Sequence, residues 1–223
     1  MENGNDENVI EQFDKIAFLP DQWDHNQQYQ NYLLKNIPPN CRCILDVGCG
    51  TGELTKKLVP YSSEIIGIDV SENMINEAGK RNNDRKINYI KVSAEKYLED
   101  IDRKFDVIIS IAALHHMNEE KILETMRNRL TKEGKIIILD LVKGSIVDYV
   151  GAMTAVPLSI ILRLKNNGKA RITKEQREAW EGHFHYDNYL TIKEVKSIVR
   201  KKLGKAKVKK HLFWRYSIVY KNG

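Results

Sequence analysis

The chain has 223 residues, 42% of them hydrophobic and 30% charged, with a formal net charge of +6. That length suits one α/β domain with room for an insertion, and the balance excludes both global disorder and a membrane-embedded chain. Three cysteines, Cys41, Cys43 and Cys49, give no disulfide framework and no Cys-x-x-Cys metal spacing, which fits a reducing cytoplasm. Residues 1–8 lack the basic and apolar regions of a signal peptide, so secretion is not expected.

In chain order, Val9, Ile10, Phe13, Ile16 and Ala17 recur at helical spacing, and Pro20 closes the segment. A second helix is predicted from about Asn26 to Ile37, with Tyr29, Tyr32, Leu33 and Ile37 on one face and Pro38-Pro39 as its stop. The apolar run Ile44-Leu45-Asp46-Val47 then breaks into Gly48, Gly50 and Gly52 and resumes with Leu54, Leu58 and Val59 at helical spacing. This is a buried parallel strand, a tight turn and a crossover helix. Glycines suit such a turn because a side chain would block the bend or a ligand lying on the backbone, and the helix start offers free N–H groups.

A second strand, Glu64 to Asp69, is followed by Ser71 as N-cap and a helix through Met74, Ile75 and Ala78 toward Arg81. The third strand, Ile87 to Val92, leads into Ser93-Ala94-Glu95, and the fourth, Phe105 to Ser110, opens into Ile111-Ala112-Ala113-Leu114-His115-His116-Met117. A helix from Glu119 to Leu130, capped by Asn118, turns at Gly134 into a fifth strand, Lys135 to Leu141. The alternation defines a doubly wound sheet. It then breaks at an apolar stretch, Ile146 to Leu164, which Asp148, Pro157 and Arg163 interrupt. A membrane span is not expected there, and a lid or dimer helix is.

A charged helix starting at Thr173 and a cluster of Trp180, His183, Phe184, His185, Tyr186 and Tyr189 complete the insertion. The capping box of Thr191 and Glu194 opens a last helix, and Lys207 to Phe213 and Tyr216 to Tyr220 alternate as two strands around Trp214-Arg215. Arg200, Lys201, Lys202, Lys205, Lys207, Lys209, Lys210 and Arg215 concentrate positive charge at this end. Such residues read as a solvated face and a guard on an edge strand, or as a surface for RNA or anionic lipid.

The glycine spacing decides the ligand class. A Gly-x-Gly-x-x-Gly dinucleotide fingerprint would place its third glycine at position 53, which is Glu53. The pattern here is Gly-x-Gly-x-Gly, preceded by Asp46 and followed by Asp69 at the end of the second apolar run. It resembles motif I and the acidic second motif of class I S-adenosylmethionine (SAM)-dependent methyltransferases, over about residues 26–221. The resemblance implies a Rossmann-like seven-stranded sheet of order 3-2-1-4-5-7-6 with its last strand antiparallel. It also implies an N-terminal helical lid over 1–40 and a methyltransferase domain over 41–223, with a helical lid insertion at about 143–189.

The implied cofactor is SAM, held by Asp46, Gly48, Gly50 and Gly52. Asp69, at a strand's C-terminal end, would accept from the ribose hydroxyls. Val70 and Met74 would give the adenine an apolar surface, although Met74 equally suits the core. Ser93, Ala94 and Glu95 would meet the adenine edge, where the family usually has an aspartate at the position of Ser93. Ser110, Ile111 and one histidine would line the reaction centre. The family's Asn/Asp-Pro-Pro-aromatic sequence for nucleobase amines is missing.

If the acceptor must lose a proton, His116 is the first candidate base, with His183, His185 and Asp140 behind it. Trp23 and His25 form a lid or a loop anchor, and Trp180 and His185 line the acceptor pocket or belong to a hydrophobic plug. No metal is expected, because the histidine pair has no matched ligand spacing nearby. The expected activity is methyl transfer to an O or N of a small, largely apolar or aromatic molecule, with the oligomeric state open. The alternatives are an RNA or protein substrate engaging the basic end, and a SAM-binding module without catalysis.

Overall fold

The computed structural model describes residues 13, 14, 16–18, 25–144, 146–168, 174 and 189–223. Helix α1 (Gln27–Leu34) leads into strand β1 (Cys41–Val47), then α2 (Glu53–Leu58), β2 (Ser62–Asp69), α3 (Glu72–Arg81) and β3 (Ile87–Lys91). Helix α4 (Ala94–Asp100), β4 (Phe105–Ile111), α5 (Glu119–Asn128) and β5 (Leu130–Leu141) continue the alternation. Helix α6 (Ile146–Asn167), α7 (Ile192–Leu203), β6 (Lys207–His211) and β7 (Arg215–Lys221) follow, the last elements among the described residues.

The seven strands form one sheet of order β3-β2-β1-β4-β5-β7-β6, as the resemblance implies, with β7 antiparallel to both neighbours. Side chains alternate across a strand, so β1, β2, β4 and β5 each feed two cores. Ile44, Ile65, Val107, Ile109, Ile137 and Leu139 face one way, against Leu33 of α1, Ile37 just after it, and Leu54 and Leu58 of α2. Leu45, Val47, Ile66, Ile68, Ile108, Ile136 and Ile138 face the other, against Leu98 of α4, Met126 of α5 and Val199 of α7. Burial on both faces accounts for the continuous apolar runs in the sequence.

Several boundaries differ from the sequence reading. Strand β5 starts at Leu130, before Gly134, because Leu130 pairs with Phe105 across a register shift while Glu133 takes a positive φ of 69°. Strand β6 stops at His211, since Phe213 and Trp214 both adopt left-handed backbone in the turn to β7. The apolar stretch forms one 22-residue helix that keeps Pro157 inside. Its insertion leaves and returns at one point, because the Lys143 N–H donates to Leu190 O at 2.8 Å. Trp23, Trp180, His183, His185 and, apart from Lys174, the segment opening at Thr173 lie outside the described residues.

Candidate functional site

The C-terminal ends of β1, β2, β4 and β5 gather the chemistry. The turn after β1 is fixed by Gly48 N–H and Cys49 N–H, which both donate to Ile68 O at 2.9 and 3.0 Å. Gly48, Gly50 and Gly52 all have positive φ, and Gly52 is the N-cap of α2. Their reasons for lacking a side chain differ. A Cβ on Gly48 would lie 2.4 Å from Ala113 Cβ, and one on Gly52 would lie 2.4 Å from the Tyr89 hydroxyl. A Cβ on Gly50 would meet only Met74 Sδ, at 3.9 Å. Two glycines therefore serve packing, and the middle one keeps its face open.

Asp69 ends β2 beneath that open face. Its Oδ2 accepts from Gly50 N–H and its Oδ1 from Ser71 N–H, each at 2.9 Å. Burial pushes its pKa up, against the pull of the Ser71 and Gly50 amides, and the nearby Asp14 adds to the rise. A carboxylate held beside backbone donors at a strand end, under an open glycine, fits the ribose end of SAM. Replacing Asp69 by alanine is expected to weaken SAM binding about tenfold to a hundredfold, the equivalent of roughly 1.5–3 kcal/mol for hydrogen bonds to a charged group. Asp69→Asn keeps an acceptor for the turn and so lies closer to the parent in thermal stability. Calorimetric titration checks both variants, and an unchanged Kd for Asp69→Ala would remove this residue from the site.

Asp46 is buried at 1% exposure in β1, with the Thr55 hydroxyl donating to its Oδ2 at 2.6 Å. Burial raises its pKa from 3.8 to about 7; the Thr55 bond opposes the rise and the Asp69 charge supports it. Ionisation is thus harder in the fold than in the unfolded chain. The stability contributed by protonated Asp46 is complete below pH 3.8 and is lost as pH rises through about 7. Asp46→Asn, which keeps the Thr55 partner, is expected to flatten that part of the stability-versus-pH curve measured by urea denaturation. An equal slope in parent and variant would contradict the assignment.

The other sequence-predicted cofactor residues occupy the same end of the sheet. Met74 is buried in α3, beside the Gly50 turn, and Val70 follows β2 half-buried. Ser93 caps α4 by accepting from Lys96 N–H at 3.3 Å, with Ala94 buried and Glu95 half-buried in the first turn. Ser110 is inside the sheet, where its hydroxyl donates to Val47 O at 2.8 Å and ties β4 to β1. Ile111 ends β4 half-buried.

Beyond Ile111 the chain turns sharply. Ala112 takes a φ of 53°, its N–H donates to Leu139 O at 2.8 Å, and Ala113 packs on Gly48. This turn sets His115 over the end of β5. His115 Nδ1 lies 2.6 Å from Asp140 Oδ1, and the His115 N–H donates to Asp140 Oδ2 at 3.0 Å. Leu141 N–H also donates to Oδ1, at 2.6 Å. Both side chains are buried, at 4% and 0% exposure. With every partner of the carboxylate a donor, Nδ1 carries the proton and Nε2 is the basic nitrogen of this ring.

From sequence, His116 is the first candidate base and nothing local pairs Asp140 with His115. The signal is the parallel register: Ile111 lies opposite Leu139, so the residue after Leu139 meets the turn that follows Ile111. The His116 ring lies tilted against His115, with centroids 3.9 Å apart, and meets the Phe13 ring edge-on at 5.4 Å. Asp14 accepts from the Ser71 hydroxyl, and Arg81 reaches Ala17 O. The N-terminal segment thereby spans from the end of β2 to the turn after β4. Tyr189, at the return of the insertion, lies 5.1 Å from the His115 ring.

His25 serves a different junction. Its Nε2 is 2.8 Å from Ser159 Oγ of α6, and its ring stacks on Phe213 at 4.3 Å. Burial, with Arg215 and Arg163 nearby, lowers its pKa to about 4, so it is neutral at physiological pH. It anchors α6 to the β6–β7 turn. Among the described residues no group of three His, Cys, Asp or Glu side chains could hold a metal ion.

Comparison with known proteins agrees with this geometry. Residues 44–134 match the family described as a methyltransferase domain. A probable S-adenosylmethionine-dependent methyltransferase of Saccharomyces cerevisiae, CRG1, is 30% identical over 55% of this chain and 44% of its own length. The ubiquinone biosynthesis O-methyltransferase of Pelagibacter ubique is 27% identical over 68% of this chain and 71% of its own. The chain thus spans less than half of the yeast relative. The N-methyltransferase NodS from Bradyrhizobium japonicum, solved with S-adenosyl-L-homocysteine, shares the fold at a TM-score of 0.66 and 15% identity, covering 96% of this chain and 98% of that one. These matches support a class I SAM-dependent methyltransferase with SAM as cofactor.

Proposed function

We propose that the protein transfers a methyl group from SAM to an oxygen or nitrogen of a small, largely apolar or aromatic molecule, with His115 taking the acceptor's proton. The observation that carries this reading is the buried His115–Asp140 pair, set beside the glycine turn by the contact of Ala113 with Gly48. When bound, SAM supplies an electrophilic methyl on a sulfonium. The protein then needs mainly to align the acceptor in a dry cavity, which supplies roughly 7–11 kcal/mol of the barrier lowering. Asp69 and the glycine turn position the donor end, and His115 Nε2 accepts a proton from a hydroxyl or ammonium.

The insertion is the source of the acceptor walls in this reading. Its two ends meet at Lys143 and Leu190, and Tyr189 reaches the His115 ring, which supports a pocket formed over the site. Relatives named ubiquinone biosynthesis O-methyltransferase support a hydroxyl acceptor, and the fold shared with an N-methyltransferase keeps an amine open.

The competing reading is a polymer acceptor held by the basic end. Exposed Lys207 and Lys209 on the edge strand favour it. Against it, Lys201 pairs with Glu120 at 2.7 Å, Lys202 with Glu124 at 2.6 Å and Lys221 with Glu133, so part of that charge is internally balanced. Methyl transfer assayed on phenols, catechols and amines and on total RNA separates the two. Charge reversal at Lys207, Lys209 and Lys210 is expected to spare turnover; activity confined to RNA and lost in that variant would establish the polymer acceptor instead.

A further inference from the structure

The far edge of the sheet carries a surface that methyl transfer does not use. Strand β6 pairs with β7 on one side, and among the described residues no strand pairs with its outer edge. Side chains alternate across the strand, so its two faces differ. Val208 turns to the α7 side and packs on the core there, while Lys207 and Lys209 turn to the α1 side, where Lys209 Nζ lies 5.5 Å from the centre of the Tyr32 ring. Between α7 and β6 runs an open groove of about 310 Å³. Val199, Ala206 and Val208 line it with aliphatic surface, and Lys196 and Arg200, four residues apart on one helix face, bring cations to it.

The charges select the occupant. Lys196, Arg200, Lys205, Lys207 and Lys209 are exposed. Lys201 and Lys202 pair with Glu120 and Glu124 of α5, but among the described residues no ion pair engages Lys196, Arg200, Lys205 or Lys207. Cations thus stand on both faces of an edge with unpaired backbone groups. A second copy of this edge would bring lysine against lysine, which keeps the chain from pairing with itself. That guard needs only the cations, and the apolar groove beside them serves no purpose in it. An acidic strand meets opposite charge on both faces, backbone partners along the edge and an apolar recess for a side chain. RNA answers the charge alone, since the groove offers no aromatic ring on which a base could stack.

We infer that β6 docks an extended acidic segment of a partner protein, which adds to the sheet as a further strand. Alternate residues of such a segment point to opposite faces. Aliphatic side chains on one face enter the groove beside Lys196 and Arg200, and carboxylates on the other reach Lys207 and Lys209. Strand β7 stands between β6 and Asp140 on β5, so the docked segment touches none of the residues assigned to SAM or to the acceptor's proton. The inference therefore needs no particular acceptor.

Fluorescence anisotropy on the full chain tests it. The probe is a fluorescein-labelled peptide of alternating glutamate and valine, ended on each side by further glutamates. Its first control carries proline for the central valine, which removes an N–H from the added strand, and its second is a single-stranded oligouridylate. The expected result is saturable binding of the probe at low ionic strength, with the proline peptide and the oligouridylate each weaker by roughly tenfold or more. Lys196→Glu with Arg200→Glu, and separately Lys207→Glu with Lys209→Glu, should each weaken the probe by roughly tenfold or more, while S-adenosyl-L-homocysteine titrates as in the parent. Should the reversed charges disturb the fold, read as loss of that titration, Lys196→Gln with Arg200→Gln gives the same reading. The inference is overturned by absence of probe binding, by equal binding of the proline peptide, or by binding that neither double variant changes. Tighter binding of the oligouridylate, lost in the same variants, would also overturn it and make the surface a nucleic-acid site.

Discussion

Replacing His115 by alanine lowers the rate of methyl transfer to a hydroxyl or ammonium acceptor by roughly a hundredfold to ten-thousandfold, the usual contribution of a positioned general base. SAM binding should change little, because the turn and Asp69 lie on β1 and β2 while His115 follows β4. Asp140→Asn should come close to the same loss by another route. The amide facing His115 Nδ1 can donate, which moves the imidazole proton to Nε2 and removes the basic nitrogen. One amide oxygen remains for the backbone N–H groups of His115 or Leu141, so much of the local fold is kept. The pH dependence of kcat should lose its acid limb in both variants. His116→Ala, whose ring has Phe13 and His115 as neighbours, should retain most of the rate. Full turnover in His115→Ala, or a larger loss in His116→Ala than in His115→Ala, would transfer the role to another residue.

The second large effect separates two glycines that look alike in the sequence. Gly48→Ala places a Cβ 2.4 Å from Ala113 Cβ and strains a φ of 69°. The left-handed backbone costs about 1–2 kcal/mol and the overlap about 1–3 kcal/mol more, a large part of the roughly 5–15 kcal/mol that stabilises a domain. Gly50→Ala has φ of 52° and meets nothing closer than 3.9 Å, so it should lose only the backbone part, about 1–2 kcal/mol. Its methyl group projects from the open face of the turn, and SAM binding should nonetheless be abolished. Urea denaturation and titration on the same samples read both outcomes. Equal destabilisation of the two variants, or SAM binding retained in Gly50→Ala, would contradict the division of labour.

The sequence carries the sheet plainly because β1, β2, β4 and β5 are buried on both faces, and such strands appear as unbroken apolar runs ended by Gly, Asp or Ser. The glycine turn and Asp69 are legible for the same reason: both are local, and each sits at a strand end. The His115–Asp140 pair is not local. It depends on the parallel register of β4 and β5 and on the left-handed turn at Ala112, a residue type that gives no warning of positive φ. Strand β5 likewise extends past Gly134 because pairing with Phe105 outweighs the local turn signal. The basic end shows the converse: its lysines and arginines are obvious in the sequence, but which of them pair with α5 and which border the groove is set by how α7 packs.

The placement of the third glycine at position 52, with Glu53 where a dinucleotide turn would need glycine, separates the two cofactor classes that this sheet could serve. Calorimetric titration of the full chain with S-adenosyl-L-homocysteine and SAM, and in parallel with NAD and NADH, measures this directly. The expected result is saturable binding of both adenosyl ligands at one site, weakened in Asp69→Ala and lost in Gly50→Ala, with no heat from either nicotinamide ligand. Binding of NAD or NADH without binding of SAM would contradict it.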